Sequence, residues 1–147
     1  MSKLSFTLNL AAPSEKLIEL ASDYEKFVNY LPDQIKSVKI VEKHNDKIIT
    51  EEVLIFTSYI KAEITQQALH KKTKPNELLT EVISGPFTGS NLRAKFDKTD
   101  MGTKVTIDVN LKIPLKYKLA SVVIKKYYKI FLTSVLYKMN SLATNSQ

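Results

Sequence analysis

The stretch that follows Pro114, residues 115–142, reads LKYKLASVVIKKYYKIFLTSVLYKMNSL and contains neither glycine nor proline. Its apolar residues recur at intervals of three and four positions, the spacing that places side chains on one face of an α-helix. The apolar stripe consists of Ala120, Val123, Ile124, Tyr127, Phe131 and Val135. This stretch therefore predicts one long amphipathic helix whose opposite side is rich in lysine.

The positive charge of the chain is concentrated in the same region. The 147 residues carry 22 Lys and Arg against 15 Asp and Glu, a formal net charge of +7. Residues 1–103 hold 14 charges of each sign, whereas residues 104–147 hold eight lysines against Asp108 alone. The basic side of the predicted helix favours an anionic or amphipathic partner.

Strand-like stretches fill most of the sequence before this helix. Val105, Ile107 and Val109 alternate with polar residues, which is the period-two pattern of a half-buried strand. Turn residues separate seven such stretches, at about 4–10, 35–43, 47–57, 59–70, 77–84, 91–98 and 103–113. This patterning is typical of an antiparallel sheet with one face in water and one face covered.

Two short helices are predicted between the first and second strands. One begins at Pro13-Ser14-Glu15, and the other is capped by Ser22 or Asp23 and ends before Pro32. The long helix near the C-terminal end is the element left to cover the sheet. The predicted fold is therefore α+β in the order β-α-α-β6-α, with residues 1–147 forming one domain.

Local motifs in the same order carry a resemblance to a known family. The segments Asp23-Tyr24-Glu25-Lys26-Phe27 and Tyr30-Leu31-Pro32 together resemble the Tyr-Pro-x-Phe-Leu-Pro element of the polyketide cyclase and coenzyme Q-binding START family. Gly85-Pro86-Phe87, nine residues before Phe96, resembles that family's Gly-Pro-Phe connection, and Gly102-Thr103-Lys104-Val105 resembles the turn that follows. The resemblance implies the helix-grip fold of START-like (SRPBCC) domains, in which a curved antiparallel sheet of about seven strands surrounds a long C-terminal helix and an apolar cavity.

The resemblance also implies that the cavity binds a hydrophobic small molecule, such as an isoprenoid quinone or another lipid. The candidate ligand-binding residues are Phe27, Tyr30, Leu31, Ile60, Ala62, Ile64, Ala94, Phe96, Ile107, Tyr127, Phe131 and Ser134. Many relatives have Trp where this chain has Ala94, which predicts an enlarged cavity. A Tyr127 hydroxyl could hydrogen-bond a ligand carbonyl. The alternative is that these side chains form an ordinary filled core.

The sequence offers little for catalysis. Glu51 and Glu52 point to opposite faces of one strand, so at most one enters the cavity, where it could act as a general base for an aldol-type cyclisation. His44 and His70 are expected at the surface, and two histidines without any cysteine do not make a zinc site. We therefore expect a binding protein without metal or cofactor, with an aromatase/cyclase-type enzyme as the alternative.

The predicted membrane-docking residues are Lys118, Lys125, Lys126 and Lys129. Tyrosines interleave with these lysines, and both residue types suit the interface of an anionic membrane. A ribosome- or RNA-associated module is the alternative, but Arg93 is the only arginine in the sequence and arginine is the usual residue for phosphate recognition. Leu132 and Leu136 could also supply a dimer interface.

The sequence is compatible with a cytoplasmic protein that contacts membranes only peripherally. It contains no cysteine, and its first residues alternate directly without the apolar run of a signal peptide. Its apolar runs are far shorter than the stretch of about 20 residues that spans a bilayer.

Overall fold

The structure, a computed structural model, describes residues 2–57 and 62–145. Within these ranges the strands are β1 Ser2–Leu10, β2 Ile35–Lys43, β3 Lys47–Phe56, β4 Ala62–Lys74, β5 Glu77–Ser84, β6 Asn91–Thr99 and β7 Gly102–Leu111. The α-helices are α1 Ser14–Ala21, α2 Phe27–Tyr30 and α3 Ser121–Asn145. Short 3₁₀ helices, Tyr24–Lys26 and Leu115–Ala120, directly precede α2 and α3.

The seven strands form one antiparallel sheet in the order β1-β7-β6-β5-β4-β3-β2. From β2 to β7, each strand pairs with the next one in sequence. Strand β1 pairs with β7, so β1 and β2 form the two edges of the sheet. Val105 at the centre of β7 lies opposite Leu8 of β1 and opposite Phe96 of β6. Since alternate side chains point to opposite faces, this register places the apolar residues of neighbouring strands on the same inner face.

Helix α3 covers that inner face of the sheet. Ile124, Val135 and Met139 are buried on its inward side. Near the C-terminal end of α3, the Asn140 side-chain oxygen accepts a hydrogen bond of 2.9 Å from the Ala12 backbone amide. This bond connects α3 to the segment between β1 and α1. The apolar stripe of the helix thus packs against the apolar face of the sheet, and both elements bury surface that neither could bury alone.

The α+β helix-grip prediction is confirmed in its element order, its seven-stranded sheet and its long C-terminal helix. The two largest boundary differences from the prediction are at the start of the long helix and at the end of β4. The first six residues of the predicted long helix, Leu115–Ala120, form a 3₁₀ helix, and the α-helix begins at Ser121. Strand β4 continues to Lys74, because Lys74 pairs with Glu77 across the tight turn into β5.

Gly102 begins β7 with a φ of +147°, and a Cβ atom there would lie 2.1 Å from the backbone oxygen of Leu10. We expect Gly102→Ala to lower the free energy of unfolding by more than about 2 kcal/mol, because a rigid strand must move aside. Gly89→Ala is the matched control: its φ is +94°, but the nearest atom to the added Cβ is the flexible Lys112 side chain at 3.0 Å. Chemical denaturation of both variants measures the difference, and an equal loss in both would contradict the steric argument.

Candidate ligand-binding cavity

A cavity of about 190 Å³ lies between the inner face of the sheet and α3, and it is partly open to solvent. The strands contribute mainly aliphatic and aromatic side chains to its wall, including Leu54, Leu78, Ala94, Phe96, Ile107 and Val109. Helix α3 contributes Tyr127, Tyr128, Phe131, Leu132, Val135, Leu136 and Met139. The space between the sheet and the helix is therefore not completely filled by side chains.

The volume of the cavity limits what it can hold. An apolar cavity of about 150 Å³ accommodates a benzene molecule, and pockets for larger ligands measure roughly 300–1,000 Å³. A cavity of about 190 Å³ is consequently large enough for one ring or a short chain. A longer molecule must extend through the opening or displace side chains at the wall.

One side of the cavity is polar, and its groups come from three adjacent strands. Glu52 and Gln66 face each other across β3 and β4, and Gln66 Nε2 donates a hydrogen bond of 2.9 Å to Glu52 Oε1. His70 and Thr80 face each other across β4 and β5, with 2.8 Å between His70 Nδ1 and Thr80 Oγ1. Thr50 joins the two pairs, because its Oγ1 lies 3.0 Å from Glu52 Oε2 and 2.8 Å from His70 Nε2. We call Thr50, Glu52, Gln66, His70 and Thr80 the polar cluster.

The hydrogen-bond geometry of the polar cluster fixes where its protons lie. An ionised carboxylate only accepts hydrogen bonds, so the Thr50 hydroxyl donates to Glu52. The Thr50 oxygen must then accept from His70, which places a proton on Nε2 of the imidazole. Among the described residues, Gln66 Oε1 is the buried side-chain oxygen left without a hydrogen-bond donor.

Glu52 is a mostly buried anion whose partners keep it charged. Its side chain retains 17% exposure, and His70 Nε2 lies 3.6 Å from Oε2. Burial alone would raise the pKa of the Glu52 carboxyl, but the nearby His70 imidazole and the hydrogen bonds that Gln66 and Thr50 donate outweigh burial and lower it. The polar side of the cavity therefore presents a carboxylate at neutral pH.

Aromatic rings surround the polar cluster and the α3 side of the cavity. The Tyr24 ring stacks on the His70 imidazole with 3.9 Å between centroids. The rings of Phe56 and Tyr127 lie 4.5 Å apart, and the Tyr127 hydroxyl donates only a long hydrogen bond of 3.4 Å to the Ile55 carbonyl. Burial raises the pKa of Tyr24 and of Tyr127 to about 12, so both hydroxyls are protonated donors at neutral pH.

The structure brings half of the sequence-predicted candidates together in the cavity wall. These residues are Phe27, Ala94, Phe96, Ile107, Tyr127 and Phe131. Ile60 lies outside the described residues. The orientation of the paired glutamates, which the sequence left open, is settled by the register: Glu52 faces inward together with Leu54 and Phe56.

Five candidates lie outside the cavity lining. Tyr30 is buried but lines a separate surface groove between α1, α2 and α3, where its backbone carbonyl accepts a hydrogen bond from Lys138. Leu31 and Ala62 are half-buried and pack against the core, and Ile64 is fully packed within it. Ser134 lies beside the inward stripe of α3, because the helix turns Phe131, Leu132 and Val135 toward the cavity instead.

The expectation that His70 is a surface residue is wrong, since its side chain is 5% exposed and lines the cavity. The prediction that Leu136 is available for a dimer interface is also wrong, because its side chain is buried in the core. Sequence reasoning missed Thr50, Thr80 and Tyr24. Strand alternation was the available signal for His70, since it has the same parity along β4 as the inward-facing Gln66.

The predicted docking lysines lie on the outer side of α3 and the 3₁₀ helix before it. Lys118, Lys126 and Lys129 are exposed, and Lys125 is half-buried. None of the four forms an ion pair with a carboxylate of the described residues. Across residues 2–57 and 62–145, the structure has no helix with enough length and apolarity to span a bilayer.

Solved structures with the same architecture identify the fold. Comparison with protein-family models and with curated protein sequences gives no match. A protein of Thermus thermophilus superposes with a TM-score of 0.83 at 17% identity over 99% of each chain. A START superfamily protein from Mycobacterium smegmatis gives 0.80 at 16% identity over 99% of each chain. The Zhui aromatase/cyclase from Streptomyces sp. R1128 gives 0.79 at 12% identity, covering 96% of this chain and 94% of the other.

The chain therefore has the helix-grip fold that START superfamily proteins and polyketide aromatase/cyclases share. The TM-scores of 0.79–0.83 establish this architecture, whereas identities of 12–17% are too low to carry over a ligand or an activity from these proteins.

Proposed function

We propose that this protein binds and carries a hydrophobic small molecule, an isoprenoid quinone or a related lipid, in the cavity between the sheet and α3. The observation that supports this proposal is a partly open, largely apolar cavity of about 190 Å³ whose wall includes Glu52, Gln66, His70 and Thr80 of the polar cluster. A ligand with one apolar part and one polar end matches that distribution.

The energetics favour a ligand with a tail over an isolated ring. An aromatic group buries about 150–250 Å². At about 25 cal/mol per Å² this burial contributes roughly 4–6 kcal/mol. Association itself costs about 4–15 kcal/mol, so a ring alone binds weakly. An isoprenoid or acyl chain that also covers the half-buried Phe131 and Leu132 would add the apolar area that tight binding requires.

A carbonyl oxygen of a quinone could accept a hydrogen bond from a tyrosine hydroxyl in the cavity wall. The Tyr127 hydroxyl holds only the long bond to Ile55, so it is free to turn toward a ligand carbonyl. The Glu52 carboxylate would in turn accept from a ligand hydroxyl, as in the reduced quinol form.

A second candidate function is an aromatase/cyclase-type enzyme that uses Glu52 as a general base. The inward orientation of Glu52 beside the apolar cavity favours this function. The lowered pKa of Glu52 opposes it, because a general base is most effective when its pKa lies near the working pH. We therefore place ligand binding ahead of catalysis.

A substitution that fills the cavity tests the binding proposal. Ala94 is buried and lines the cavity from β6, so Ala94→Trp places an indole ring where we expect the ligand. We expect binding of decylubiquinone, followed by isothermal titration calorimetry, to weaken at least about a hundredfold through steric exclusion.

Lys95→Trp is the matched control, because Lys95 is the next residue of β6 and points to the outer face. It should bind decylubiquinone as the unmodified protein does. Unchanged binding by the folded Ala94→Trp variant would place the ligand outside this cavity.

We also propose that Lys118, Lys125, Lys126 and Lys129 dock the protein reversibly on anionic membranes. Each lysine near such a surface contributes about 1 kcal/mol, so four together suffice for a weak, salt-sensitive association. Docking would bring the carrier to the bilayer in which quinones and other lipids reside.

A further inference from the structure

Three large aliphatic side chains are exposed at the start of the C-terminal helical region, in a part of the chain for which the sequence pattern predicted a lysine-rich outer side. Leu115 is 86% exposed, Leu119 is fully exposed and Val122 is 79% exposed. We call these three residues the apolar wedge. Single exposed apolar residues are ordinary on protein surfaces, but here three large aliphatic side chains within eight positions are each at least 79% exposed, which favours a partner that covers them.

The local structure holds the wedge outward. Ala120 and Ile124, which lie between and beyond the wedge residues in sequence, are buried in the core. The Tyr117 ring packs against Phe87 with centroids 6.3 Å apart, which anchors the 3₁₀ helix to the loop between β5 and β6. Because the inward side chains fix the rotation of this segment, the wedge cannot turn into the core without breaking those contacts.

The positive charge around the apolar wedge indicates an anionic partner. Lys116 and Lys118 alternate with the wedge residues, and Lys125 and Lys126 follow within about one turn of Val122. The sequence contains no Asp or Glu between residues 109 and 145. Apolar side chains ringed by lysines match the two layers of an anionic bilayer, whose phosphates meet the lysines while the acyl chains meet the aliphatic groups.

We propose that the apolar wedge inserts into the acyl-chain boundary of an anionic bilayer, so that the protein is anchored by insertion as well as by lysine electrostatics. This inference rests on the proposed membrane docking and adds the residues that penetrate the bilayer. Tyr127, which lines the cavity, follows Val122 by five residues, about 7.5 Å along the helix axis, so the wedge and the cavity share the first turns of α3.

Tryptophan fluorescence can follow this insertion, because the chain contains no tryptophan of its own. Leu119→Trp places a single reporter at the centre of the wedge. Met101→Trp is the matched control, since Met101 is 89% exposed in the turn between β6 and β7 and outside the wedge. Both variants are mixed with vesicles of phosphatidylcholine alone and with vesicles of equimolar phosphatidylcholine and phosphatidylglycerol, with and without brominated acyl chains.

We expect the emission of Leu119→Trp to shift to the blue on anionic vesicles and to be quenched by the brominated chains, while Met101→Trp stays unchanged. Replacing Leu115 and Leu119 together with serine should weaken vesicle co-sedimentation by about tenfold or more. Calorimetric titration with decylubiquinone in the absence of vesicles should be the same for the serine variant and the unmodified protein, which separates the anchor from the ligand site.

Three results would overturn the inference. Co-sedimentation with anionic vesicles without any change in Leu119→Trp emission would leave lysine docking intact and exclude insertion. No co-sedimentation at all would reject docking together with insertion. A blue-shifted emission without vesicles, accompanied by twice the monomer mass in light scattering, would show that the wedge is covered by a second copy of the chain.

Discussion

Replacing Phe131 with aspartate should abolish ligand uptake while the protein remains folded. The Phe131 ring lines the cavity from α3, packs 6.0 Å from the Tyr127 ring and is half-buried. An aspartate there exchanges an apolar contact surface for a carboxylate that has to be desolvated when an apolar ligand enters. We expect binding of decylubiquinone to weaken by more than about a hundredfold, which calorimetric titration measures directly.

Ile130→Asp is the matched control for this prediction. Ile130 is the preceding residue of α3 but is 54% exposed on the outer side, so the same charge enters the same helix away from the cavity. This variant should bind decylubiquinone like the unmodified protein. If both variants keep their circular dichroism spectra and both bind equally well, Phe131 does not contact the ligand.

Reversing the charge of Lys118, Lys125, Lys126 and Lys129 to glutamate should release the protein from anionic vesicles. The four substitutions change the formal net charge from +7 to −1, because each replaces +1 with −1. Loss of about 1 kcal/mol for each lysine lowers the partition constant by at least about a thousandfold. Co-sedimentation with vesicles of equimolar phosphatidylcholine and phosphatidylglycerol at low salt measures this loss.

Reversal of four other lysines separates a local docking surface from a general charge effect. Lys39, Lys43, Lys71 and Lys72 are exposed on β2 and β4, and their reversal gives the same net charge of −1. This control should keep most of its vesicle binding, because its basic helical surface is intact. An equal loss in both variants would mean that net charge governs the association and that α3 provides no specific docking surface.

The architecture could be predicted because each element carries its own pattern. The alternation around Ile107 defines an inner and an outer strand face, and the absence of glycine and proline after Pro114 defines the long helix. Once one sheet and one long amphipathic helix are assigned, packing of the helix on the apolar face is the only way to bury both. The cavity-lining positions Ala94, Phe96 and Ile107 follow from the same alternation.

The polar cluster could not be predicted because its residues meet only through strand register. Glu52 lies on a strand in which both alternating sets of neighbours are apolar, so the sequence does not show which face is inward. Thr50 and His70 are 20 positions apart and come into hydrogen-bond contact only after β3 pairs with β4.

The volume of the cavity and the exposure of the wedge depend on geometry that a one-dimensional pattern does not contain. The residue identities give the side-chain volumes but not the distance between the sheet and α3, which decides whether space remains beside Ala94. Leu119 has the apolar character of a core residue, and only the rotation of the 3₁₀ helix places it in solvent. Helical periodicity assigns side chains to faces correctly only where the segment has about 3.6 residues per turn.

Native mass spectrometry of the purified protein shows whether the cavity binds a hydrophobic molecule, because a bound ligand adds its mass to that of the chain. Organic extraction of the same sample identifies any bound compound, and incubation with a panel of isoprenoid quinones and fatty acids tests the empty protein. We expect one quinone or lipid per chain, either retained through purification or taken up from the panel, and its loss in Ala94→Trp. If the protein carries no compound and forms no adduct with any member of the panel, the cavity does not bind such a molecule.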